Sequence, residues 1–159
     1  MMRNKILRLT WTVRAVLIGM LLGAVGTAKG YAQNYYGYDF QKNGLYYYIT
    51  SSTYPYTVAV TCPAGASQWW NGYNKPIGNI SIPSQVTNTV SQGGINSSTT
   101  YTVTAIANYA FAQCSGITAM TIPNTVTSIG EHAFHYCTGI SNLTIGTAVT
   151  SIGMYAFNQ

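Results

Sequence analysis

Carboxylates are nearly missing from this chain. Asp39 and Glu131 are the only acidic residues among 159. They fall in different modules of the sequence, so no carboxylate pair for glycoside hydrolysis is available. Basic residues are few too, and they cluster where a nucleic-acid partner would not find them. Five of the seven, Arg3, Lys5, Arg8, Arg14 and Lys29, precede residue 33. Beyond Ala32 only Lys42 and Lys75 remain, and Asp39 and Glu131 balance them. The net charge of +5 therefore belongs to the N-terminal segment. Nucleic-acid binding needs a basic stripe on the folded part, and none is present. Cysteine is scarce and odd in number, with three residues, which does not make a disulfide framework. No phosphate-loop or dinucleotide glycine pattern and no nucleophile elbow occurs, and no cofactor is implied.

What is there begins with a targeting segment. Residues 1–14 are a positive n-region, and Ala15–Val25 is an apolar run. Gly30-Tyr31-Ala32 offers small residues at the two positions a signal peptidase reads, so residues 1–32 read as a signal peptide cut after Ala32. A cut after Ala28 is the alternative. The apolar run is short against the roughly 20 residues a membrane span needs. The expected mature chain starts near Gln33, is close to neutral, and has no membrane span. It is rich in Tyr, Thr, Ser and Asn, a composition that binds through hydrogen bonds and aromatic faces and not by ionic steering.

From Val103 onward the sequence repeats itself every 23 residues. Val103, Val126 and Val149 align, as do Ile106, Ile129 and Ile152. Ala110, Ala133 and Ala156 form a third column, and Phe111, Phe134 and Phe157 a fourth. Cys114 matches Cys137, and Ile122 matches Ile145. Apolar residues at fixed slots with a period of roughly 20–29 mark a leucine-rich solenoid, in which each coil buries the apolar side of its neighbour. Ile117, Met120, Ile122, Ile140, Leu143 and Ile145 are expected to point inward from short strands. Glu131–Tyr136 reads as a single helical turn that drops Phe134 into the core. Ile80-Ser81-Ile82-Pro83 fills the slot of Met120-Thr121-Ile122-Pro123 and predicts the first solenoid strand, out of phase with the rest.

Upstream, Leu45–Thr50 and Tyr56–Thr61 predict a β-hairpin that covers the open first coil, with a tight turn at Asn43-Gly44. Val86–Ser91 and Thr100–Ala105 predict a second hairpin, turning through residues 93–98. The expected layout is a signal peptide (1–32), an N-terminal β cap and aromatic loop (33–78), and a solenoid (79–159) that stops in mid-repeat. The fold class is mostly β.

These residues carry a family resemblance. CSGITAMTIPNTVTSIGEHAFHYC, from Cys114 to Cys137, resembles the BspA-like bacterial surface leucine-rich repeats, whose pattern is roughly C-x-x-L-x-x-I-x-I-P-x-x-V-x-x-I-G-x-x-A-F-x-x-C. Val103–Gln159 follows it closely, and Asp39–Pro83 is similar, more loosely, to a β cap preceding such repeats. The resemblance implies an extracellular β-solenoid that works by protein or glycan contact, often in adhesion to host surfaces. It brings no catalytic residues.

The candidate binding surface is the outward side of the strands: Thr118, Thr121, Ser141, Asn142 and Thr144, which alternate with the inward apolar residues. An alternative is aromatic. Trp69, Trp70 and Tyr73 sit in the cap loop, and Tyr109, His132 and Tyr155 form a repeat column. Either set has a plain structural explanation, a satellite core under the cap or a stacking ladder. His132, His135, Cys114 and Cys137 do not make a metal site on this reading. His132 shares its column with Tyr109 and Tyr155, His135 with Ala112 and Asn158, and the Cys slot is a small buried hydrophobe. Cys114 and Cys137 are expected to be free or slow to oxidise. Because the repeat breaks off in mid-coil, the sequence also predicts a fragment of a longer array, a structural arm of an envelope protein, or a chain that caps itself end to end.

Overall fold

The computed structural model describes residues 37–65 and 68–159. The targeting segment and the start of the cap lie outside the described residues. The strands are β1 (Phe40–Lys42), β2 (Leu45–Ser51), β3 (Thr57–Thr61), β4 (Gly78–Ser81), β5 (Gln85–Gln92), β6 (Ile95–Ile106), β7 (Ile117–Thr121), β8 (Ser128–Ile129), β9 (Asn142–Thr144) and β10 (Ser151–Ile152). Among the described residues there is no helix.

Two sheets enclose the core. One runs β1-β2-β3-β6-β8-β10, with β5 on the free half of β6; the other is β4-β7-β9. Between coils every pairing is parallel. Ile106 faces Ile129, Ile129 faces Ile152, and Met120 faces Leu143. The period of 23 is thus the length of chain that returns each residue to its own column. Val103, Ile106, Ile117, Met120, Val126 and Ile129 are buried in the resulting core. Phe111, Phe134 and Phe157 stack through it with ring centroids 5.3 and 5.1 Å apart and planes within 6° and 4°.

The cap follows from its turn chemistry. Asn43 and Gly44 hold φ of 51° and 78°, which closes a two-residue hairpin between β1 and β2. β2 and β3 form the expected antiparallel pair. β3 then lies parallel to β6, with Val58 opposite Val103 and Val60 opposite Ile106. The cap therefore covers the first coil by prolonging its sheet. Its apolar residues Leu45, Tyr47, Val58 and Val60 complete the core. The second hairpin forms as well, but its turn is only Gly93-Gly94, and Ile95–Ser98 belong to β6.

The expected helical turn over Glu131–Tyr136 is not present. His132 and Tyr136 have φ of 53° and 54°, and Tyr109 and Gln113 repeat this one coil earlier. Alternate amides serve different partners. Ala133, His135 and Cys137 donate three residues back, to Gly130, His132 and Phe134. His132, Phe134 and Tyr136 donate to the next coil, at Met154, Ala156 and Asn158. A helix would direct all of these N–H groups along its own axis, leaving the neighbouring coil without partners.

Inward placement also depends on position in the stack. Ile117, Met120 and Ile122 are buried, whereas Leu143 and Ile145 are 39% and 38% exposed, with no further coil over them among the described residues. This gradient makes a prediction. Phe134→Ala, with a ring on each side, should cost about 3–5 kcal/mol in urea unfolding. Phe157→Ala should cost clearly less, because Phe157 is stacked on one side only. Equal losses would contradict the stacking order.

Candidate binding surface

The outward face of β4-β7-β9 is built by strand alternation. Met120 enters the core, and Ala119 and Thr121 stand on the opposite side. Parallel register then sets two rows across the sheet: Asn79, Ala119 and Asn142, and Ser81, Thr121 and Thr144. Adjacent members of a row lie about 4.8 Å apart. Thr118 is exposed for a different reason. The register shifts between Gly78 and Asn79, and Thr118 is the extra residue at that bulge. Its hydroxyl donates to Asn79 Oδ1 at 3.0 Å, and the Ser141 hydroxyl donates to the Thr118 carbonyl at 3.1 Å. All five strand residues singled out from the sequence, Thr118, Thr121, Ser141, Asn142 and Thr144, are exposed and gathered on one face. Asn79 and Ser81 extend the rows. Their signal was available, because Ile80–Pro83 matches Met120–Pro123 residue for residue. The face carries hydroxyls and amides but no charge, so it can make many short hydrogen bonds and little long-range attraction.

The aromatic candidates separate into three environments. Trp69, Tyr109, His132 and Tyr155 form one stack, with successive centroids 5.6, 5.0 and 5.2 Å apart. All four have φ between 51° and 58°. Trp69 is therefore the first rung of the repeat column, contributed by the cap loop. The offset that aligns Ile80 with Met120 also aligns Trp69 with Tyr109 and Trp70 with Ala110, so this too was present in the sequence. Trp70 takes the inward slot. It is buried, donates its Nε1–H to the Ala110 carbonyl at 3.2 Å, and meets Tyr46 edge-on. Tyr73 stays 41% exposed at the rim, edge-on to Tyr38 and Tyr46. The rungs use their ring faces on one another, which leaves mainly edges for any ligand.

His132 and His135 lie with centroids 4.8 Å apart, and Glu131 Oε1 is 3.7 Å from His132 Nε2. Among the described residues no three ligating side chains converge. Cys114 and Cys137 belong to the core, as does Cys62, and all three are unbridged. The Cys137 thiol donates to the Phe111 carbonyl at 2.9 Å. Burial pushes the Cys62 and Cys137 thiols up to about 11, and Cys114 further in the same direction, with Cys137 adding to its shift. Neutral, buried thiols of this kind are poor nucleophiles.

Comparison with known proteins agrees with this architecture. Residues 88–159 match the family model of the BspA type leucine rich repeat region, in 6 copies. None of the curated proteins matches the sequence. Among solved structures, the chain is similar to a leucine-rich repeat protein from Bacteroides capillosus ATCC 29799, with TM-score 0.52 and 24% identity over 74% of this chain and 72% of that one. It is also similar to the T. pallidum leucine rich repeat protein, with TM-score 0.51 and 22% identity over 75% of this chain. There the match spans 44% of the longer chain. At these identities the likeness is one of fold.

The thiols set an alkaline limit on stability. A group whose folded pKa is raised keeps its proton where the unfolded chain loses it. The contribution is full below the ordinary value of 9.0 and is lost as pH climbs through about 11. Urea unfolding should show stability falling across that window, and Cys137→Ala should flatten the fall. A flat profile in the unsubstituted chain would mean that the thiols are solvated.

Proposed function

We propose that this chain, whose residues 88–159 are a BspA type leucine-rich-repeat region, is a non-enzymatic binding module exported to the cell exterior. It contacts an extracellular protein or glycan through the outward face of β4-β7-β9, and adhesion to a host surface is the setting that fits it. The observation carrying this reading is the pair of uncharged rows, Asn79–Ala119–Asn142 and Ser81–Thr121–Thr144, held in register by the coils behind them. Repeated outward residues on a solenoid make an extended contact surface whose geometry is fixed before the partner arrives. The segment 1–32, with its basic start and apolar run, supports export.

The exposed apolar residues of the last coil favour a second reading. Leu143, Ile145, Ile152 and Met154 are 38–66% exposed, and among the described residues no strand lies beside the outer edge of β9 or of β10. A second copy stacking on this end would cover them, and the chain would then serve as a structural arm.

The test is direct binding of the mature chain to a glycan array and to immobilised extracellular-matrix proteins. Thr121→Glu with Thr144→Glu places two unpartnered carboxylates in the contact and should weaken binding about tenfold or more. Binding that survives this pair but falls with Trp69→Ala or Tyr73→Ala would move the site to the aromatic loop. Trp70→Ala reports on folding, because Trp70 is in the core. Light scattering on the same samples checks the second reading, which a concentration-independent monomer would overturn.

A further inference from the structure

The two sheets start differently. The longer one continues past the first coil into β3, β2 and β1, whereas the shorter one stops at β4. Among the described residues β4 pairs with β7 alone. Gly78 and Ile82 donate to Gly116 and Thr121, so the even-numbered residues direct their backbone groups at β7. Asn79 and Ser81 then direct N–H and C=O the other way. Nothing among the described residues pairs with those groups.

They open into a cleft of about 700 Å³. β1 contributes Gln41, the β1–β2 turn contributes Asn43, and the loop before β4 contributes Tyr73 and Lys75. The apolar part is made by Leu45 and Tyr46, both buried in the cap, and by half-buried Ile80. The turn and the loop bound the cleft together with the free edge of β4. The charge is one-sided. Lys75 is the one charged residue among those that line the cleft. Neither carboxylate faces the cleft. Asp39 is engaged by the Ile49 N–H at 2.6 Å, and Glu131 lies beside His132.

We propose that this cleft binds an extended peptide carrying an acidic residue, which adds to β4 as a fourth strand. Its backbone answers the groups of Asn79 and Ser81, which recur at the two-residue spacing of roughly 6.6 Å that only another strand matches. Its carboxylate meets Lys75, and its alternate side chains rest on Leu45, Tyr46 and Ile80. The site shares Asn79 and Ser81 with the outward strand face, using their backbone groups where that face presents their side chains, and it does not depend on that face binding anything.

The probe is a phage-displayed library of random heptapeptides, panned on the mature full chain, with enriched sequences resynthesised. Enriched peptides should contain an acidic residue and bind Lys75→Glu about tenfold or more weakly. Ser81→Pro removes a donor that β7 does not use and sits at an edge position where proline is tolerated, so the fold should survive while peptide affinity falls by a similar factor. An N-methyl scan of the peptide needs no protein variant. Methylation at alternate amides should abolish binding, and methylation at the intervening amides should leave it intact. The proposal is overturned if no peptide is enriched, if N-methylation shows no two-residue phase, or if Lys75→Glu leaves affinity unchanged.

Discussion

Backbone hydrogen bonds from one coil to the next are the constraint on which the rest of this structure depends. Tyr109, Phe111 and Gln113 donate to Glu131, Ala133 and His135, and one coil later His132, Phe134 and Tyr136 donate to Met154, Ala156 and Asn158. These bonds close only if each coil has the same length and the same sequence of left- and right-handed residues. That requirement explains why Tyr109, His132 and Tyr155 all accept a left-handed backbone, which is uncommon for bulky side chains. It also explains Gly130 and Gly153. A Cβ on Gly153 would stand 2.5 Å from the Glu131 nitrogen of the preceding coil, closer than packing permits.

The side chains follow the backbone into columns. Inside, the Phe column and the Ile and Val columns give each coil an apolar surface that only a neighbour can cover. At the turns, Trp69, Tyr109, His132 and Tyr155 stack because their shared backbone conformation aims them alike. Outside, the same register sets hydroxyls and amides in rows. The outward polar face is thus a by-product of core packing. Its side chains are free to vary chemically, because those of Thr121 and Thr144 are exposed while their carbonyls serve the stack. The face is rigid for the reason the core is rigid, and a rigid polar face loses little conformational entropy on binding.

Much of this was legible in the sequence because the period is literal. Columns of Val, Ile, Ala and Phe fixed the coil length, and alternation around Met120 assigned the outward strand residues. What was misread depended on local backbone geometry. EHAFHY has good helix formers, yet its amides are claimed alternately by its own turn and by the next coil, a tertiary demand that propensity does not register. The second hairpin was given too long a turn because Asn96, Ser97 and Ser98 resemble loop residues. In the structure they pair along an exposed strand, where Ser and Thr hydroxyls bond across, as between Thr89 and Ser98 at 2.8 Å. Trp69 and Trp70 look like one loop cluster in the sequence, but repeat phase separates adjacent residues, placing Trp69 on the ladder and Trp70 in the core. The cleft beside β4 had no sequence signal. It exists because the cap prolongs one sheet and not the other.

Native-state hydrogen exchange on the full chain tests the dependence on inter-coil bonding most directly. The amides of Phe111, Gln113 and Phe134, each bonded to the following coil, should be the slowest to exchange and should open together as one cooperative unit. The amides of Asn79 and Ser81, which have no described partner, should exchange fast in the free protein. Independent opening of successive coils, or protection at Asn79 and Ser81 equal to that at Phe111, would contradict this account.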